Sequence, residues 1–261
     1  MHFVDKGRPV ILYEHPCNER IRTWLRLERL FIYLGTLIKR EDQVDHHYAL
    51  HTLFELMDIA ARSDLKIEIL TELTDRKKFY TSLRSNPEIS QAVLDRIINQ
   101  LQACTDSLNE WGDLEITCEL QAHSWLMSIR NRMNIPGGTC EFDLPAYHAW
   151  LHFPAKERLV HLYGWVAQLA PLADAVTNLL RLLRDSATLQ KTTAPKGKLE
   201  LHLPQNKSFS MLRVMINKGL PYIPEVSANQ ILLSMRWMQL NEDWKQSPVD
   251  VDVHFQLALC A

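Results

Sequence analysis

Two pairs of histidines stand four residues apart, His47 with His51 and His148 with His152. On a helix this spacing places both imidazoles on one face, as a zinc-binding pair requires. Neither pair has the Glu that follows the first histidine in zinc hydrolases and acts as general base, and neither has an evident third ligand. We interpret the four residues as surface or interface histidines without a metal. A metal-dependent hydrolase that uses His148 and His152 is kept as an alternative.

Other sequence signatures of catalysis are absent. The chain has no GxGxxG turn, no Walker lysine loop and no GxSxG elbow, and only 8 of its 261 residues are glycine. The five cysteines are odd in number, scattered and without a CxxC pair, which predicts reduced thiols and neither a disulfide framework nor a zinc ribbon. We therefore expect no catalytic residues, no cofactor and no enzymatic activity.

Basic residues form a stripe on the first long helical segment. Arg22, Arg26 and Arg29 are spaced i, i+4 and i+7, about 140° from the apolar side of that segment. Residues 17–40 contain six positive and two negative side chains, whereas the whole chain has a net charge of −2. The stripe is either a solvated face with Arg–Glu pairs inside the helix or a docking surface for an acidic peptide, because the planar guanidinium suits carboxylates.

Three further residues would belong to such a docking surface. Arg130 and Arg132 precede a Gly-Gly turn and would extend the surface if the fold brings them near it. Trp24, at the edge of the stripe, is a core residue in the first interpretation and an apolar anchor in the second. A nucleic-acid-binding adaptor that uses the three arginines of the stripe is another alternative, but the slightly acidic net charge argues against it.

The composition is that of an ordinary soluble globular protein, with 46% apolar and 23% charged residues. The longest strongly apolar stretch, residues 30–38, is far shorter than the ~20 residues of a membrane span. Residues 1–10 carry charges and a proline where a secretory signal needs an apolar run. We therefore expect a cytoplasmic protein without a membrane-spanning helix and without nucleic acid or membrane partners.

Residues 15–187 show the periodicity of a helical domain. Apolar side chains at spacings of three and four predict helices over residues 17–40, 45–62, 65–83, 87–109 and 115–133. The predicted apolar face of the first helix consists of Ile21, Trp24, Leu25, Glu28, Phe31, Ile32 and Gly35, widened toward its end by Leu34, Leu37 and Ile38. Three shorter helices are expected to open at Pro145, Pro154 and Pro171, and the last of them, over residues 172–185, is the most apolar.

After residue 187 the period changes to that of strands. Alternating apolar and polar residues predict strands over residues 199–203, 211–216, 230–239 and 249–260. We expect a β domain over residues 188–261, an antiparallel sheet with one solvated face, joined by an N-terminal strand at 9–14. Residues 188–198 are the expected flexible connection. The predicted fold class is α+β, a predominantly α-helical domain followed by a smaller antiparallel β-sheet domain.

Two segments of the chain resemble motifs of a known family. The segment from Tyr13 to Glu28, YEHPCNERIRTWLRLE, is similar to the pattern FEHPxNExxRTWLRxE of the ZapD family. The segment from Ile135 to His152, IPGGTCEFDLPAYHAWLH, is similar to that family's pattern IPGGxCxFDLPxxHxWLH. The resemblance extends over residues 10–260, which is nearly the whole chain.

The resemblance implies a non-enzymatic protein of the division ring at midcell. Members of the family bind the C-terminal tail of FtsZ, the tubulin-like division protein, and as homodimers crosslink FtsZ filaments into bundles. The resemblance also implies a helical domain joined to a smaller β domain. It places tail-binding residues at Arg22 and Arg26 in the first motif and at His148 in the second. Further candidates come from the patterns described above, namely Arg29, Arg130, Arg132 and Trp24.

Overall fold

The computed structural model describes residues 9–111, 118–204, 208–228 and 231–261. Contacts along the chain separate two compact units. One unit comprises Trp24–Leu179, and the other combines Leu180–Ala261 with the described residues before Trp24. Within the described ranges, no helix is long and apolar enough to cross a membrane.

The α+β fold class is confirmed, with helices along most of the chain and strands concentrated near its end. The α-helices of the described residues are α1 Glu19–Ile38, α2 Gln43–Ala60, α3 Leu65–Ser82, α4 Gln91–Glu110, α5 Cys118–Ala122, α6 Ser124–Met133, α7 Pro145–Leu151, α8 Ala155–Ala167 and α9 Ala170–Asp185. The three short helices opened by prolines are confirmed as α7, α8 and α9, and α9 contributes many side chains to the core.

Local capping explains where the first helix begins. The Asn18 side-chain Oδ1 accepts a hydrogen bond from the backbone N–H of Ile21 at 2.9 Å, which satisfies one of the amides left unpaired at a helix start. The predicted apolar face of α1 is partly wrong, since Leu27, which it left out, is buried and Ile32 is 54% exposed, whereas Leu34 is buried as predicted. Apolar residues flank α1 on two sides, so periodicity alone does not show which side faces the core.

Two predicted helix boundaries are also wrong. The helix predicted from residue 87 begins instead at Gln91. The side-chain Oδ1 of Asn86 accepts a hydrogen bond from the backbone N–H of Glu88, which holds the residues just before the helix in a turn. The helix predicted over 115–133 is interrupted at His123, where the backbone is extended. The Nδ1 of His123 accepts a hydrogen bond from the backbone N–H of Leu126 and so caps the start of a new helix, α6. The predicted beginning of that helix, residues 115–117, lies outside the described residues.

In the described part of the chain the strands form two antiparallel sheets, so the prediction of a single sheet is wrong. One has the order β1-β4-β8-β2, and the other has the order β3-β6-β5 with β7 also paired to β6. The N-terminal strand is confirmed as a partner of β4. The strands are β1 Val10–Pro16, β2 Gln190–Ala194, β3 Lys198–His202, β4 Met211–Asn217, β5 Tyr222–Ala228, β6 Leu232–Leu240, β7 Gln246–Pro248 and β8 Val253–Cys260.

Both sheets contribute side chains to one hydrophobic core. Trp237 of β6 packs edge-on against Phe255 of β8 with ring centroids 5.1 Å apart, and both side chains are fully buried. The alternation of β8 is confirmed from Val253 to Leu257 but not beyond, since Ala258 and Cys260 are buried and Leu259 is partly exposed; residues 249–252 precede the strand. Strand β5 was not expected, because Pro224 disfavours a central strand; β5 is at an edge, where a missing N–H is tolerated.

The segment predicted as a flexible connection, residues 188–198, contains a paired strand and a tight turn, so that prediction is wrong. Its residues 190–194 form β2, which pairs along β8. Gly197 has a φ of 67°, and a Cβ at this position would lie 2.3 Å from the carbonyl oxygen of Val249. The turn between β2 and β3 therefore requires glycine at this position, because any larger side chain would collide with Val249.

Candidate functional site

The arginine stripe lies along α1, on the side away from the buried residues. Arg26 and Arg29 are exposed and Arg22 is partly exposed. Their spacing of four and three residues keeps the three guanidinium groups on one face, and the 20 residues of α1 extend about 30 Å. The three arginines occupy about 10 Å of that length and form a short basic surface.

The three arginines differ in the partners they already have. The Nε of Arg22 bonds to Oε1 of Glu19 at 3.0 Å, an exposed pair whose contribution to stability is small. The guanidinium of Arg29 lies over the ring of Tyr33, 5.8 Å from its centroid. Among the described residues, the Arg26 side chain has no hydrogen bond or ion pair. Among the described residues, an ion pair within the helix therefore accounts for only one arginine of the stripe, Arg22.

His15 lies close enough to Arg22 to be affected by its charge. Burial, together with the positive charge of Arg22, holds the pKa of His15 below its ordinary value. The imidazole is therefore neutral at neutral pH and adds no positive charge beside the stripe.

Arg130 and Arg132, at the end of α6, are engaged by carboxylates of their own unit. Arg130 forms an ion pair with Asp58 of α2, and Nη1 of Arg132 lies 3.7 Å from Oδ1 of Asp143. These two arginines hold α6 to α2 and to the turn before α7. Their positive charge is partly neutralised where they stand.

His148 is exposed on α7, with its ring centroid 4.5 Å from that of His152. His152 follows the last residue of α7, and its Nδ1 donates to the carbonyl oxygen of His148 at 2.8 Å. In the part of the chain that the structure describes, no group of three or more His, Cys, Asp or Glu residues is arranged to hold a metal ion. The metal-site alternative therefore lacks its third ligand there.

The other histidine pair is occupied by protein contacts. His47 shares a hydrogen bond with the hydroxyl of Tyr147 at 2.8 Å, which joins α2 to α7. Nδ1 of His51 lies 3.8 Å from Oε2 of Glu55, one turn further along α2. These contacts fit the interpretation of His47 as an interface histidine between two helices and of His51 as a surface histidine.

Trp24 belongs to the core, with only 2% of its surface exposed. Its neighbour Thr23 is also buried, whereas Arg26 is exposed. The first sequence motif thus alternates between core and surface. An apolar anchor for a docked peptide must be found elsewhere than at Trp24.

Sequence reasoning missed Arg158, a buried arginine of α8 that is 4% exposed. Its guanidinium donates four hydrogen bonds of 2.6–2.9 Å, and its partners are Nδ1 of His46 and the carbonyl oxygens of Glu41, Leu151 and Phe153. These contacts tie the α1–α2 corner to the end of α7, three residues after His148. No short motif marks such a residue, because two of its acceptors, in His46 and Glu41, are 112 and 117 residues away in the sequence.

The protonation of His46 is consistent with this network. Its Nε2 donates to the carbonyl oxygen of Ile38 at 3.2 Å, so its Nδ1 is free to accept from Arg158. Burial, together with the nearby charge of Arg158, holds the pKa of His46 below its ordinary value. The imidazole therefore remains an acceptor at neutral pH.

Glu14, in the first motif, was also not assigned a role from the sequence. Its carboxylate accepts two hydrogen bonds from Arg184 near the end of α9, at 2.7 and 2.9 Å, and one from Arg213 of β4 at 3.1 Å. Burial by itself raises the pKa of Glu14, but the two arginines outweigh it and hold the pKa below its ordinary value. This cluster fixes β1 in its sheet.

Comparisons with known proteins agree with the two motifs. The sequence profile of ZapD, described as "Cell division protein", matches residues 25–236. Cell division protein ZapD of Ralstonia pickettii is 44% identical over 256 residues, covering 96% of this chain and 99% of that protein. The corresponding protein of Cupriavidus pinatubonensis is 43% identical with the same coverage. That of Janthinobacterium sp. (strain Marseille) is 41% identical over 252 residues, covering 97% and 100%. The chain therefore belongs to the ZapD family of cell division proteins.

Proposed function

We propose that this protein is a non-enzymatic division factor that binds the acidic C-terminal tail of FtsZ and, as a homodimer, crosslinks FtsZ filaments into bundles at midcell. The observation that carries the proposal is the exposed pair Arg26 and Arg29 on α1, in a chain of the ZapD family. Exposed guanidinium groups without carboxylate partners in the described residues are suited to carboxylates from another molecule.

The binding step is electrostatic. Tail carboxylates pair with Arg22, Arg26 and Arg29, and His148 adds a polar contact from α7. Because these groups are solvated in the free protein, each pair contributes little, and the affinity of one site is modest and falls with added salt.

Bundling then follows from the number of sites. A two-fold dimer carries two tail-binding surfaces, and a filament displays many tails close together. Once one tail is bound, the second binding event takes place at a high effective concentration, so weak single sites give strong crosslinking.

The regions have different roles in this proposal. Residues 15–187 form the tail-binding domain, and residues 188–261 with the strand at 9–14 form the β domain. The protein acts in the cytoplasm, and neither a cofactor nor nucleic acid takes part.

The first experiment mixes the purified protein with assembled FtsZ, with and without the C-terminal tail, at low salt. Bundling is measured by light scattering and low-speed pelleting. We expect bundles only with the tailed FtsZ. Equal bundling of tailless FtsZ, or none with either form, would overturn the proposal.

The second experiment compares Arg26→Glu with Arg96→Glu. Arg96 is exposed on α4 of the same unit and serves as a control for the change in charge. We expect Arg26→Glu to abolish tail-dependent bundling while the protein stays folded and dimeric, and Arg96→Glu to bundle like the wild type. Wild-type bundling by Arg26→Glu would remove the stripe as the binding surface.

A further inference from the structure

An aromatic side chain completes the exposed face of α1. Tyr33 is four residues after Arg29 and seven after Arg26, which keeps it on the same face of the helix. It is 52% exposed, and the Arg29 guanidinium lies over its ring. The basic stripe is therefore continuous with an exposed aromatic ring.

Position on the helix, and not exposure, distinguishes Tyr33 from the neighbouring Ile32. Ile32 is 54% exposed, about as much as Tyr33, but it lies about 100° around the helix from it. Tyr33 shares the face of Arg26 and Arg29, whereas Ile32 lies to the side of it. A peptide laid along the stripe would meet Tyr33 and pass Ile32.

The rise of the helix fixes the distances that such a peptide would span. Four residues separate Arg29 from Tyr33, about 6 Å along the axis, and seven residues separate Arg26 from Tyr33, about 10 Å. In an extended peptide, side chains on one side recur every ~7 Å, which matches the shorter distance. An acidic residue and a large apolar residue two positions apart would therefore reach Arg29 and Tyr33 together.

We propose that Tyr33 is the apolar anchor of the α1 surface, and that its partner is an acidic segment with a large apolar side chain about 6–7 Å from a carboxylate. The inference rests on the proposed tail binding and adds the apolar part of the recognition. Aromatic and arginine side chains contribute much of the binding free energy at protein interfaces, and the Arg29–Tyr33 pair offers both in one place. It takes the role that buried Trp24 cannot fill.

The test measures binding of a labelled FtsZ tail peptide by fluorescence anisotropy at low salt. The variants are Tyr33→Ala, Tyr33→Phe and, as the matched control, Ile32→Ala, each checked for folding by thermal unfolding. We expect Tyr33→Ala to weaken binding about tenfold, and Tyr33→Phe and Ile32→Ala to stay within about twofold of wild type. Replacing the apolar residue of the peptide by Ser should cost the wild type as much as Tyr33→Ala, and little more in the Tyr33→Ala variant.

The outcomes separate this inference from the function on which it rests. If Arg26→Glu loses binding and Tyr33→Ala does not, the anchor is wrong and the tail-binding function stands. Equal losses in Tyr33→Ala and Ile32→Ala would also overturn the anchor, because the effect would not depend on the face of α1. If the wild type does not bind the peptide, the proposed function fails and the anchor fails with it.

Discussion

Arginines serve two different purposes in this protein. Arg184 and Arg213 surround the carboxylate of Glu14, and their hydrogen-bonding groups are directed into the protein. Arg26 and Arg29 lie exposed on α1 and have no carboxylate partner in the described residues. The first group contributes to stability, and in our proposal the second group binds carboxylates of another molecule. The number of arginines in a segment is therefore a poor guide to its function unless their partners are known.

Arg158 makes the contrast sharper. It is more deeply buried than Arg184 or Arg213, and its four acceptors are neutral, three carbonyl oxygens and one imidazole. Such a guanidinium acts as a rigid connector between backbone segments, because its planar fork reaches several acceptors at fixed angles. Its planar group sets the geometry of the network, and its removal leaves the buried His46 and three partly buried carbonyl oxygens without this donor.

The largest effect is expected from Arg158→Met. The substitution keeps much of the side-chain volume but removes all four hydrogen bonds, so we expect the free energy of unfolding to fall by about 3–5 kcal/mol. Urea unfolding followed by circular dichroism measures the change. Arg96→Met is the control at an exposed site and should change stability by less than ~0.5 kcal/mol. Similar small losses in both variants would contradict the role given to Arg158.

A smaller effect is expected from Glu14→Gln. The amide cannot replace the charge between the two arginines, so we expect a loss of about 2 kcal/mol at pH 7. Because the pKa of folded Glu14 is below its ordinary value of 4.5, its contribution is complete above that value and is lost as the pH falls through the folded pKa. Thermal unfolding at pH 7 and near pH 3 should show the variant and the wild type converging at the lower pH. A constant difference at both values would rule out this carboxylate as the source, and Glu19→Gln provides the exposed control.

Added salt is expected to have the smallest effect on the stability of the protein. It should distinguish the exposed arginines of α1 from the arginines paired with Glu14. Raising sodium chloride from about 50 to about 300 mM screens exposed charges far more than buried ones. We expect tail-dependent bundling to fall several-fold, while the stability difference between wild type and Glu14→Gln changes by less than ~0.5 kcal/mol. Bundling that does not respond to salt would remove the electrostatic account of the α1 stripe.

Most elements of the fold could be predicted from the sequence because their signals are local. Asn18 begins α1 by capping it, and the prolines at 145, 154 and 171 open helices as expected. The period-two pattern of β8 is equally local. These features depend on neighbours within a few residues, which a sequence displays directly.

Features that depend on distant partners could not be predicted. Residues 188–198 have the composition of a linker, yet β2 becomes ordered by pairing with β8, about 60 residues later. The face of α1 that enters the core depends on other helices, which is why Leu27 is buried and Ile32 is not. Of the site, the stripe follows from helical spacing, but the unpaired state of Arg26, the burial of Trp24 and the exposure of Tyr33 depend on tertiary packing.

The pairing of β1 with β4 has a consequence for how the chain is made. The two strands are separated by roughly 200 residues, so a ribosome adding ~5–20 residues per second needs about 10–40 s after β1 emerges to complete β4. During that time Glu14 lacks both arginines, since Arg184 and Arg213 are also synthesised late. Residues 24–179 form a compact unit between these segments and bury their own core. In the order of synthesis the helical unit is complete first, and β1 is among the last elements to reach its place.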